Sequence, residues 1–109
     1  SKAFAIRIIN SYKYLCEEKH EYILSKQLLR SGTSIGANVK EAIRGQSKDD
    51  FIHKLNISLK EASESEYWIE LLFETDYITK QQFDSLIGDC RELIKLLASI
   101  IKTSRKEGK

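Results

Sequence analysis

No proline occurs anywhere in this 109-residue chain. Proline lacks a backbone donor, breaks helix interiors and is among the commonest turn formers. A chain without it can run in long uninterrupted helices, and the next question is where apolar residues recur every three or four positions. They do so in four stretches. The first covers residues 2–18, with Ala5, Ile8, Ile9, Tyr12, Leu15 and Cys16 on one face. The second runs from about residue 21 to 44, with Leu28, Leu29, Gly32, Ile35, Gly36, Val39, Ala42 and Ile43 in register, and Gly45 as its stop. The third opens on Ser47 as N-cap, with Asp49 and Asp50 in a first turn whose dipole favours negative charge. It continues to about residue 74 through Ile52, Leu55, Leu59, Ala62, Ile69 and Phe73. The fourth starts at Thr79, where Thr79-Lys-Gln-Gln82 fits a capping box, and carries Phe83, Leu86, Ile87, Cys90, Leu93, Ile94, Leu97, Ile100 and Ile101.

The connections are short, which makes successive helices antiparallel neighbours. The expected fold is all-α: an antiparallel up-down-up-down four-helix bundle, one domain over residues 1–109, with a basic tail from about residue 102 that frays beyond Ile101. Hydrophobic residues at 41% and charged residues at 31% give a globular balance, well away from the disordered class. No apolar run approaches the ~18–20 residues that cross a membrane. No secretory signal is visible, although the chain starts at Ser1 without an initiator Met, which leaves room for residues ahead of it. Cys16 and Cys90 are the only cysteines and form no CxxC pair, so they read as small core residues in a reducing, cytoplasmic setting.

The net charge of +2 conceals an uneven distribution. Residues 1–46 hold eight Lys/Arg against four Asp/Glu, residues 47–78 three against eight, and residues 79–109 seven against four. Within the second helix Lys26, Arg30, Lys40 and Arg44 form a basic stripe opposite the core face. That stripe is either a solvated surface or a phosphate-binding strip. Beside the core face runs a polar stripe, Arg30, Ser34, Asn38 and Glu41, with Ser31 between it and the core. These side chains are placed to bond along the helix or to a neighbour. Gly32 and Gly36 each cost up to about 1 kcal/mol in a helix interior. Their position on the core face points to close approach of another helix. A phosphate-cradling loop is the rival, and it lacks both the GxxxxGK[ST] pattern and a preceding strand.

In the third helix Glu66 falls on the core stripe between Ala62 and Ile69. A buried carboxylate needs a donor, and Arg30 or Asn38 is the expected partner. Ile57, Trp68 and Leu71 lie on the other side of that helix, widened by Tyr67 and Leu72, and read as a subunit interface. Metal and catalytic motifs are weak. Glu17-Glu-Lys-His20 is a single ExxH where a di-iron bundle needs two and further carboxylates, and His53 is isolated. No metal, no cofactor and no enzymatic activity are expected.

Several of these residues recur as an ordered pattern. Arg30-Ser-x-x-Ser34-Ile-x-x-Asn38-x-x-Glu41-Ala42 is followed by Arg44-Gly45, Phe51-Ile-x-x-Leu55, Ser58-Leu-x-Glu61, Glu66 and Leu72-x-x-x-x-Tyr77-Ile78. The pattern resembles the bacterial four-helix-bundle family named after 23S rRNA intervening sequences, which also includes the accessory variability proteins of diversity-generating retroelements. The likeness covers nearly the whole chain and is strongest over residues 25–78. It implies a left-handed up-down bundle, a ring-like homopentamer and no enzymatic activity. The retroelement members are similar to basic adaptors that bind nucleic acid and a reverse transcriptase. This chain departs from them in being weakly basic, with a sequence pI near 8.5, and in carrying Glu41-Ala42 where many members of the family it resembles have Glu-Gly.

Two functions of different class follow. One is a non-catalytic homo-oligomeric adaptor that binds RNA or DNA through the basic surface of the second helix and the basic tail. The other is a protein-interaction or structural oligomer with no nucleic-acid role. The near-neutral net charge, the acidic third helix and the lack of aromatic residues among the basic ones favour the second; the basic stripe and the resemblance favour the first.

Overall fold

Capping chemistry decides where the last three of the four helices begin. Across residues 1–107, which the computed structural model describes, the helices are α1 (Lys2–Glu17), α2 (Leu24–Ile43), α3 (Lys48–Glu74) and α4 (Lys80–Glu107). Ser47 caps α3, its Oγ accepting the Asp50 N–H at 3.0 Å. The capping box of α4 is complete: Thr79 Oγ1 accepts the Gln82 N–H at 3.2 Å, and Gln82 Oε1 accepts the Thr79 N–H at 2.8 Å. At α2 the expectation is off by one turn. The helix starts at Leu24, because Glu21 turns its carboxylate onto the first free N–H groups instead of joining the helix.

The far ends differ more. α1 and α3 are followed by left-handed residues that are not glycine, His20 (φ 53°) and Asp76 (φ 67°), while Gly45 after α2 keeps a negative φ. α4 does not fray past Ile101 but continues to Glu107. Ile101 is buried, and Arg105 and Lys106 stand in the last turn, where cations complement the carbonyl pole.

Two hydrogen bonds fix α2 and α3 as antiparallel: Ser31 Oγ to Ser65 Oγ at 2.9 Å, and Ser58 Oγ to the Ile35 carbonyl at 2.8 Å. The cross-links pair an advancing position on one helix with a receding position on the other. α3 and α4 are likewise joined by Cys90 Sγ to the Ala62 carbonyl at 3.3 Å. Small side chains at these crossings let the backbones approach. The result is an antiparallel four-helix bundle of 50 × 21 × 18 Å. No helix among the described residues is long and apolar enough to cross a membrane.

The core follows the expected stripes through Ile8, Leu15, Leu28, Ile35, Leu55, Ala62, Ile69, Ile87, Cys90 and Leu97. Three residues assigned to it lie outside: Ile43 is 73% exposed, Ile9 39% and Ile100 36%. Phe4, left out of the expected stripe, also takes a core place, one turn ahead of Ile8 and on the same face as Ile8 and Leu15. The helix seams are unequal. α2 packs extensively on α3 and α3 on α4, whereas α1 lies chiefly against α2 and scarcely meets α4. Arg7 is the main tie across that last seam, bonding the Ser85 carbonyl at 3.3 Å, Ser85 Oγ at 3.0 Å and the Asp89 carboxylate. Both thiols are free, Cys90 buried and Cys16 half-buried. Burial, with the Glu66 charge nearby, pushes the Cys90 thiol up to about 12.

Candidate nucleic-acid interface

The four cations of the second helix divide into two kinds. Arg30 reaches across to α3 and pairs with Glu61 at 3.3 Å and, in a closer contact, with Glu64. Its charge is thereby engaged by two carboxylates. Lys26, Lys40 and Arg44 are exposed, and none makes an ion pair within 4 Å among the described residues. Arg44 stands at the C-cap of α2 beside a shallow groove whose lining also takes in two carboxylates, Glu41 and Asp50, with Gly45, Gln46 and Lys54. Lys54 lies 3.4 Å from Glu41, so that pair is near neutral. An exposed ion pair of this kind contributes little to stability.

The polar stripe is present but bonds differently from a side-chain ladder. Ser34 Oγ donates to the Arg30 carbonyl at 2.6 Å, and Asn38 Nδ2 to the Ser34 carbonyl at 2.8 Å. Each satisfies a carbonyl one turn back in its own helix. Besides Arg30, only Ser31, through Ser65, and Glu41, through Lys54, reach α3 from these positions.

Glu66 corrects two expectations. Its side chain is 29% exposed instead of core-buried, and its partner is Arg91 of α4, at 2.8 Å, not Arg30 or Asn38. The physical reason is angular. At 100° per residue the fully buried residues of α3 span an arc of about 100°, from Leu72 to Leu55. Glu66 falls just past the Leu55 edge, on the flank that α4 covers, while Glu61 and Glu64 occupy the flank that meets α2.

The same geometry places the expected interface residues. Ile57, Trp68 and Leu71 are half-buried, and Trp68 packs against the core with Nε1 donating to Glu64 at 3.4 Å. Leu72 is 0% exposed and belongs to the core, so it does not widen a surface patch. Tyr67, stacked at an angle on Trp68, stays 54% exposed. His20 Nδ1 lies 3.2 Å from the Tyr22 hydroxyl, and no group of three or more His, Cys, Asp or Glu among the described residues is placed to hold a metal.

Residues 1–99 match the family model of the 23S rRNA-intervening sequence protein. The chain belongs to this family. The chain also has a relative of solved structure. That relative is a protein of unknown function of the S23 ribosomal protein family from Bacteroides thetaiotaomicron VPI-5482. The two are 60% identical and superpose with a TM-score of 0.91, over 92% of this chain and 89% of the other. No curated protein matches the chain.

Glu21, Arg7 and Arg91 carry the structure without having stood out in the sequence. Arg7 and Arg91 find their partners on another helix, whereas Glu21 bonds backbone N–H groups two to four residues further on. Of the three, only Glu21 left a local signal: an acidic side chain just ahead of a helical stripe.

Proposed function

We propose that this protein is a non-catalytic homo-oligomeric adaptor that binds the phosphate backbone of RNA or DNA through α2. The observation that carries the reading is the set of exposed cations without ion pairs among the described residues, Lys26, Lys40 and Arg44, on a helix whose remaining stripe cation, Arg30, is held by α3. Lys40 and Arg44 are one turn apart and cover the same exposed end of α2. Backbone contacts position a protein without reading sequence, so binding is expected to show little base preference. Two free thiols agree with a cytoplasmic setting. The resemblance noted from the sequence supports a ring of five subunits, over which weak patches act together.

The test is retention of labelled RNA and DNA at low ionic strength. Wild-type affinity is expected to fall with salt, with a log–log slope near −0.9 per phosphate neutralised on duplex DNA and about −0.7 on single strands. Lys40→Glu with Arg44→Glu is expected to abolish retention without changing the oligomer. Wild-type protein that shows no salt-sensitive binding at low ionic strength sinks the reading. The second reading, an interaction scaffold with no nucleic-acid role, is favoured by the apolar side chains left open on α4, Leu96 at 55% and Ile100 at 36% exposure.

A further inference from the structure

Lys102, Arg105 and Lys106 do not form a loose tail; the rest of the expected tail, residues 108–109, lies outside the described residues. Because α4 runs to Glu107, Lys102, Arg105 and Lys106 are held on a helix at i, i+3 and i+4 spacing. They flank a groove of about 410 Å³ between α3 and α4, whose other wall is Asn56 and Leu59. Ala98 and Ile101 complete the lining, and no carboxylate belongs to it. None of the three cations makes an ion pair within 4 Å among the described residues. Asn56 donates one amide hydrogen to the Ile52 carbonyl at 3.1 Å, which leaves it a second. Lys95, two turns earlier, extends the same face of α4.

The bundle's topology gives this groove company. The end that holds it also receives the close of α2 and the opening of α3. Residues 1–6, 40–54 and 98–107 there carry eight Lys/Arg against four Asp/Glu. The opposite end, residues 13–24 and 70–84, carries three against seven. Helix poles do not create this difference: two amide ends, of α1 and α3, meet two carbonyl ends, of α2 and α4, at the basic end. The positive field comes from side chains. A last-turn cation that merely complements its own helix explains Arg105 and Lys106, but not a recess lined by three cations and free of acids.

We propose that the α3–α4 groove is a second phosphate site, in which Lys102, Arg105 and Lys106 hold the backbone of a nucleic-acid strand that passes Lys40 and Arg44 at the same end. The proposal rests on the reading of α2 given above and adds a site to it. The probe is a fluorescein-labelled 20-mer of oligo-uridine, with a duplex of equal length as a second arm, followed by fluorescence anisotropy across a salt series. Lys102→Gln with Arg105→Gln and Lys106→Gln is expected to weaken single-strand binding at least tenfold at low salt. It should also flatten the slope by about 0.7 for each phosphate no longer neutralised. Lys102→Arg with Lys106→Arg keeps the charge and is expected to keep the slope, which separates charge from shape. Circular dichroism checks that both variants remain helical.

Wild-type binding with an unaltered slope in the triple Gln variant overturns the groove and leaves α2 standing. Loss in the triple variant with none in Lys40→Gln/Arg44→Gln upholds the groove and overturns the α2 strip. A wild type that binds neither probe overturns both. Loss confined to the duplex arm overturns the single-strand path.

Discussion

Glu21 shows how much one carboxylate can organise. It is 7% exposed, and its two oxygens accept the N–H groups of Ile23 at 3.1 Å, Leu24 at 2.9 Å and Ser25 at 2.7 Å. Those are orphan donors at the opening of α2, and the acid also complements the amide pole there. Burial works to raise its pKa, but the hydrogen bonds from Leu24, Ser25 and Ile23 outweigh that and hold it below the ordinary 4.5. A depressed carboxylate contributes stability that is whole above the unfolded-state pKa and fades as pH falls through the folded value. Glu21→Gln is therefore expected to cost roughly 1–2 kcal/mol at neutral pH, in line with the removal of other helix caps. The gap from wild type should narrow towards pH 3. Urea unfolding at the two pH values checks this, and a gap that stays constant would assign the loss to shape instead of charge.

At the scale of elements, the glycines of α2 are unequal despite their matching spacing. A Cβ on Gly32 would stand 2.8 Å and 2.9 Å from the two γ-carbons of Ile8 on α1. Ile8 is β-branched and fully buried, so it cannot swing aside. A Cβ on Gly36 would meet nothing closer than 3.7 Å. Gly32→Leu is expected to cost about 1–3 kcal/mol from overpacking, less the gain of up to about 1 kcal/mol in helix propensity. Gly36→Ala is expected to raise stability by up to about 1 kcal/mol. Thermal melts of the two variants should move in opposite directions, and a Gly32→Leu melt at or above wild type would rule out a tight contact with Ile8.

The sequence made the helices, the two caps and the close contact at Gly32 legible, because each is written in local spacing. What it left unread depends on which helix covers which flank. Ile43 continues its stripe faultlessly, yet α1 begins level with Gly36 and leaves it uncovered; Ile9 stands about 100° round from Ile8, off the buried arc that Phe4, Ile8 and Leu15 share. Trp68 looked remote from the core only because Leu55, the residue it was measured against, marks one edge of the buried arc. Glu66 found Arg91 because α4, not α2, lies on its side. In the candidate interface, the basic stripe was visible as a pattern. That Arg30 leaves it for Glu61 and Glu64 was not, since nothing local pairs residues on different helices.

For the whole molecule, the open apolar side chains bear on assembly. Leu93, Leu96 and Ile100 follow i, i+3, i+7 on α4, with Leu93 half-buried and the other two open to solvent. If a second copy covers them, Leu96→Glu with Ile100→Glu takes two apolar side chains out of each interface and buries charge in their place. Burial of a side chain of this size contributes about 1.5–3 kcal/mol, so association is expected to weaken at least a hundredfold. Light scattering should report a multiple of 12.6 kDa for wild type, five in a pentamer, and a lower mass for the variant at equal helicity. A wild-type mass of one subunit at micromolar concentration ends the oligomer reading. Trp68 is a poorer place for this test, since its contact with the core would mix folding with assembly.

The proportions of the bundle set how such a mass has to be weighed. A body of 50 × 21 × 18 Å is drawn out more than twofold along one direction. Its translational friction exceeds that of a sphere of equal volume, so a lone subunit elutes early from a sizing column, on the same side as a true multimer. Tumbling end over end is slower than spinning about the long axis, and the helical N–H bonds, which run along their helices, report chiefly the slower motion. A closed ring of such rods would be broader and flatter than any one of them, and the two rates would draw together. Rotational anisotropy thus separates a rod from a ring where retention volume conflates them.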